Sequence, residues 1–389
     1  NIDNLKNLPL PFYSVLIPSI LFKIFGNYAP LILELICIYF FYYIFYLIFR
    51  KFGFSNLFII FLSTIIFCIP SIYQYFNLSN TPYSAAIYEI YNLRFPRPLI
   101  VNLFFFVYIL FFLNLNINKI FNYKNFIIFA IISSISFSSF YYFFFIEFIS
   151  LIILISIYLG FKELFRISNI KYYIVSITIF IIIAAPFIFF LLTSEFDYKE
   201  RLYLIDLNFE RKIILLKYLS QKIFSFKFIS FFLILSILNF YSNIRQIKNY
   251  KLVNKIFILF LSSILSPFLF ILISTQTGLV YHFTNLVVST AFIYLFISLS
   301  NIIYTKKLIF FSINKYLYLS VIIILIFFNN FYYYNFFKQK YLDDNYSSYR
   351  KGISNSITLI NKLNKDQLNL LTFNPELMVW SIMNGVKNI

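Results

Sequence analysis

Histidine occurs once in this chain of 389 residues, cysteine twice and glycine six times. With His282 alone, and Cys37 and Cys68 each inside an apolar block, there is no spacing for a His- or Cys-based metal centre and no CxxC redox pair. So few glycines exclude phosphate cradles of the P-loop or dinucleotide-binding kind. GxSxG and HExxH are absent too. Charge is equally scarce, at 12% of residues, where a soluble domain carries roughly 25%. A water-soluble fold of this length would lack the polar side chains to cover its surface.

In place of charge there are apolar blocks: 61% of residues are hydrophobic and 24% aromatic. A helix crosses the hydrocarbon core in about 20 residues. That length predicts ten spans, at roughly 30–49, 57–74, 98–114, 125–140, 142–161, 172–193, 226–241, 256–275, 284–303 and 316–331. The block from 125 to 161 is too long for one span. It is divided at the Ser-rich, aromatic turn Ser138-Ser139-Phe140-Tyr141.

The net charge of +18 does not read as a nucleic-acid footprint, because the cations are not gathered on one polar face. They sit between the apolar blocks: Arg50 and Lys51; Lys119 and Lys124; Lys162, Arg166 and Lys171; Arg245, Lys248, Lys251 and Lys255; Lys306, Lys307 and Lys315. Every odd-numbered connector is short and basic, with Glu163 the one acid among them. Lys and Arg accumulate in cytoplasmic loops, so these five connectors are expected inside. The mixed or neutral connectors 75–97, 194–225 and 276–283, and the tail from 332, are expected outside. The domain plan is an extracytoplasmic loop with an interfacial helix (1–29), a transmembrane domain (30–331) and an extracytoplasmic tail (332–389). Pro9, Pro11, Pro18 and Lys23 favour an interfacial helix over a span at 8–25. The tail reads as a helix over 346–365, a strand at 368–373 and a helix opening at Asn374-Pro375-Glu376, the start of a small α/β domain. The chain opens on Asn1 and stops inside an unfinished element, as a piece of a longer protein would.

Candidate site residues are the polar groups near the expected outer face. Arg94 and Arg97 are braced by Pro96 and Pro98, and offer planar forks for phosphate. Glu34 and Glu147 are acids inside spans, about one turn from the outer end, and are candidates to line an outward-open cleft. Asp3, or Glu34, is the candidate general base for an acceptor hydroxyl. Gln276, Tyr281 and His282 are candidates to hydrogen-bond a sugar or pyrophosphate. The segment 195–212 is a candidate re-entrant or amphipathic cover.

With this layout the chain resembles the GT-C superfamily of membrane glycosyltransferases. The resemblance rests on Leu8-Pro9-Leu10-Pro11-Phe12-Tyr13 and Leu21-Phe22-Lys23-Ile24-Phe25-Gly26 in the first outer loop. It rests also on the aromatic turn Ser138-Ser139-Phe140-Tyr141-Tyr142-Phe143 between paired spans. It implies an all-α bundle of eleven helices, one of them upstream of Asn1, with an extracytoplasmic domain behind it. The implied activity is transfer of a sugar from a polyprenyl-phosphate carrier to an envelope acceptor, at the outer face of a bacterial inner membrane. The partners are the lipid bilayer and that lipid-linked sugar, with no nucleic acid, and neither cofactor nor metal is called for. The family's acidic signature is represented here by Asp3 alone; Asp343-Asp344 lies in the tail and does not correspond. A polysaccharide flippase, an O-antigen polymerase type of protein, or a non-catalytic membrane protein are the alternatives.

Overall fold

The computed structural model describes residues 12–75, 90, 99–193, 205–277, 281–305 and 319–331, together with 352, 355 and 356. The chain divides into two compact units, Asn1–Ile323 and Ile324–Ile389. The predicted tail elements, 346–365 and 368–380, fall outside the described residues apart from 352, 355 and 356, which are helical.

The first unit is helical. Its helices are α1 (Phe12–Phe25), α2 (Ala29–Lys51), α3 (Asn56–Tyr75), α4 (Leu99–Asn114), α5 (Tyr123–Tyr158), α6 (Ile170–Thr193), α7 (Phe209–Ile223), α8 (Phe226–Ile244), α9 (Tyr250–Ile273) and α10 (Tyr281–Thr305). A two-residue antiparallel pair, β1 (Ile205–Asp206) with β2 (Gln276–Thr277), is the sheet among the described residues. A further apolar helix is α11 (Leu319–Phe331). Among the described residues six helices are long and apolar enough to cross a membrane, those within α2, α5, α6, α8, α9 and α10. Shorter apolar helices lie at Tyr13–Phe25, Asn56–Ile69, Leu99–Asn114 and Leu319–Phe331. The chain is a multi-pass membrane protein.

Helix α5 is the informative one. Straight, its 36 residues would reach ~54 Å at 1.5 Å per residue, well beyond the hydrocarbon core of about 30 Å. It is broken at Phe140 (φ −163°, ψ 87°), and the contacts across the break show that the chain turns back on itself. Ser136 Oγ donates to Glu147 Oε1 at 2.7 Å, although eleven residues of straight helix would separate them by ~16 Å. The Phe137 and Phe144 rings lie 5.4 Å apart. Tyr108 of α4 meets Phe129 at 6.3 Å and the Glu147 carbonyl at 2.9 Å. The two arms are antiparallel partners, divided where the serine run predicted. Serine hydroxyls compete for helical carbonyls and loosen the ladder without proline or glycine; Ser133 and Ser134 bond to carbonyls of their own arm.

The same satisfaction rule operates at Pro267 inside α9. Proline has no N–H to give the carbonyl four residues back, and in an apolar setting that carbonyl needs another donor. The Ser266 hydroxyl supplies it, at 3.0 Å from Ser263 O.

Four of the basic connectors meet at one end of the bundle. Asn249 Nδ2 donates to Phe52 O. Asn301 Nδ2 reaches Lys248 O at 2.8 Å. The Phe54 ring packs on Tyr304 at 4.8 Å, one residue before the end of α10. Phe121 lies 6.2 Å from Tyr172, over whose ring Lys171 Nζ sits at 5.1 Å. Lys255, expected among the connector cations, is instead buried six residues into α9. Its Nζ donates to Leu113 O (3.0 Å) and Leu115 O (2.6 Å) at the C-terminal end of α4. The fifth connector, 306–318, lies outside the described residues and starts directly after α10.

The hairpin tip marks the opposite end. There β1 pairs with β2, Leu207 N bonds Thr275 O at 2.7 Å, and Lys212 Nζ caps α9 through Leu272 O at 3.0 Å. Helix α7 begins at this end and hands over, with two residues between, to α8, which runs down to the basic end. Both ends of α7 are therefore at the hairpin end, and α7 lies across it. Its Leu219 and Ile223 are buried, and Asn208 caps its first turn through Arg211 N at 2.9 Å. Where a re-entrant or amphipathic cover was expected over 195–212, the described helix is 209–223.

Candidate functional site

The polar centre of the first unit lies beneath the hairpin tip. Glu147 is completely buried, at 0% exposure. Oε1 accepts from Ser136 across the hairpin, and Oε2 has no hydrogen-bond partner among the described residues. The Glu147 carbonyl accepts from Tyr108 and, at 2.8 Å, from Ser150; the two hydroxyls lie 2.6 Å apart. Glu147 thus does not line an outward-open cleft, contrary to the expectation from the sequence. The antiparallel arm closes over it.

Directly above, His282 of α10 meets the tip edge-on, 5.6 Å from the Phe140 ring and 5.4 Å from Tyr142. Tyr142 in turn packs on Phe283 at 4.5 Å. Tyr281 is the first residue of α10, and Gln276 pairs through its backbone with Asp206. The candidates 276, 281 and 282 therefore share one end with the tip. Glu34 is half-buried on α2, within electrostatic reach of Cys37; no described contact joins it to Glu147 or His282. Asp3, Arg94 and Arg97 fall outside the described residues.

A second feature is a narrow apolar cavity of about 30 Å³ between α2, α3, α4 and α10, lined by Phe45, Phe49, Ile66, Ile109 and Phe296 and by Ile90 at its connector edge. Ile90 is held to α4 by Asn102, whose Nδ2 donates to Ile90 O at 3.0 Å.

Sequence reasoning missed Tyr108, Ser136 and Ser150 around Glu147. Residues 136 and 147 mirror each other about the turn at 140–142, but their contact follows only once the two arms are paired. The described residues contain no group of three His, Cys, Asp or Glu side chains suited to a metal ion. These features define the class, a polytopic helical membrane protein with a closed polar centre and an apolar cleft. No known protein family, curated protein or solved structure matches the chain.

Proposed function

We propose that the chain spans the membrane ten times with its basic connectors in the cytoplasm, and that it transfers a sugar from a polyprenyl-phosphate carrier at the opposite face, in line with its GT-C resemblance. The observation that supports this reading is the apolar cleft. Its lining is apolar throughout, the chemistry an isoprenoid tail requires as it parts these helices to enter, and its edge residue Ile90 stands four residues before Arg94 in the sequence. A tail in the cleft brings its phosphate to the connector that carries Arg94 and Arg97. There the two guanidinium groups stabilise the charge that develops as the sugar–phosphate bond breaks. Asp3 or Glu34 takes the proton of the attacking acceptor hydroxyl.

The reading is tested in membrane vesicles with a labelled polyprenyl-phosphate sugar. Arg97→Ala is expected to slow transfer by about 100-fold, as removal of one charge-stabilising donor does elsewhere. Ile66→Trp, which fills the cleft, is expected to raise KM for a long-chain donor and to spare a short-chain analogue. Wild-type rates in Arg97→Ala would remove the assigned roles.

Orientation has its own readout. Lys162→Cys and Lys251→Cys are expected to resist a membrane-impermeant maleimide in intact cells and to react once the membrane is opened. Phe209→Cys, at a site 77% exposed on α7, is expected to react in both. The reverse pattern would invert the topology.

A further inference from the structure

A carboxylate is costly inside a lipid-embedded bundle unless something neutralises it. Around Glu147, the neighbouring elements supply no cation to do so among the described residues. From α4 comes the Tyr108 phenol, bonded to the Glu147 carbonyl. Lys255 of α9 is at the basic end, committed to the α4 carbonyls. The charged or phenolic groups of α6, Lys171, Tyr172 and Tyr173, are likewise at that end, beside Phe121 and Tyr123. Tyr13 of α1 donates to Ile183 O, and Lys23, the cation of α1, is exposed. His282 of α10 faces the rings of the tip.

The groups bonded to Glu147 are hydroxyls: Ser136 lies on Oε1, while Ser150 of the second arm and Tyr108 of α4 meet the Glu147 backbone carbonyl. Ser139, three residues from Ser136, shares its helix face, and its hydroxyl is buried without a partner. The break at Phe140 ends the first arm beside this group. A helix C-terminus carries partial negative charge and leaves carbonyls without intrahelical donors. Glu147 Oε2, 0% exposed and unpartnered, is the free ligand position. One carboxylate among neutral oxygens balances a single positive charge, whereas a divalent ion would leave one charge uncompensated in a dry interior.

We propose that the Glu147 carboxylate, with the Ser136 and Ser139 hydroxyls of the facing arm, forms an occluded site for a small monovalent cation, either Na⁺ or a proton. The site is independent of the sugar-transfer reading. It gives the protein a means of sensing or coupling to an ion on the hairpin side of the membrane. Broken helices with intramembrane carboxylates serve such ions elsewhere.

The test uses the full chain in detergent with a hydrophobic carbodiimide. The reagent reacts with a protonated carboxyl in an apolar setting: the O–H adds across one C=N bond, and the adduct rearranges to a stable N-acylurea with no leaving group. One added reagent mass on the Glu147 peptide is expected, absent in Glu147→Gln. For a Na⁺ site, replacing choline chloride by NaCl at about ten times the half-protecting concentration cuts labelling roughly tenfold by mass action. For a proton site, labelling falls as pH rises and is indifferent to NaCl. Ser136→Ala, which keeps the carboxylate, is expected to shift the half-protecting concentration or pH. No labelling of wild type at any pH, or labelling that responds to neither Na⁺ nor pH, overturns the proposal.

Discussion

Lys255→Met is expected to lower the unfolding free energy by about 3 kcal/mol, among the largest effects of any single substitution at the basic end. The methionine keeps the apolar stem in place, so the loss is confined to the ammonium group. That group donates to two carbonyls at the end of α4, Leu113 O and Leu115 O. Carbonyls in the last turn of a helix lack intrahelical donors, and a cation there also meets the negative end of the helix dipole. A hydrogen bond from a charged donor contributes about 1.5–3 kcal/mol. The sum is reduced because the methionine variant is spared the desolvation cost of a buried charge. Lys251→Met, four residues earlier and exposed, is the control, with an expected change within about 0.5 kcal/mol. The measurement is thermal or SDS-induced unfolding of both variants in one detergent. Added salt is expected to leave the difference standing, since a buried contact is weakly screened. Equal behaviour of the two variants would mean that Lys255 acts only as one more surface charge.

That contrast also shows where the sequence is readable. An apolar block of membrane-spanning length announces itself without tertiary information, and so does an overlong block with serines at its middle. Hence α2, α6, α9 and α10, and the break at Phe140, were legible. Helix α7 was not. Its Arg211, Lys212, Lys217 and Lys222 look like a solvated connector, and only the cap residue Asn208 signalled a helix start. Lys255 reads as a connector cation because a linear pattern does not say that the end of α4 lies beside it. The Ser136–Glu147 contact depends on hairpin register, a property of the folded pair. Glu147 itself was legible as an intramembrane acid, but its enclosure was not, because the closing arm precedes it by only eleven residues and reads as a separate span.

Phe143→Ala is expected to cost about 3 kcal/mol, at the lower edge of the usual range for removing a buried phenylalanine. The ring is 1% exposed, stacks on Phe105 of α4 at 4.3 Å and meets Phe140 edge-on at 5.2 Å. It therefore ties the second arm of the hairpin both to α4 and to the tip, one turn above Glu147. The lower edge applies because the unfolded reference of a lipid-embedded helix is itself in hydrocarbon. Little transfer free energy separates a buried ring from a lipid-facing one, and what the substitution removes is close packing. The matching control is Ile182→Ala on α6, whose side chain is 65% exposed on a membrane-spanning helix. It also deletes a large apolar group, yet its expected effect lies within about 0.5 kcal/mol. Phe143→Leu, which restores part of the volume without the stack, should recover roughly half of the loss. SDS-induced unfolding of the three variants decides the point. If Ile182→Ala cost as much as Phe143→Ala, apolar area rather than contact would be holding these helices together, as in a protein folded in water. If the order is Phe143→Ala, then Phe143→Leu, then Ile182→Ala, the aromatic packing between α4 and the hairpin is what keeps the arm closed over Glu147.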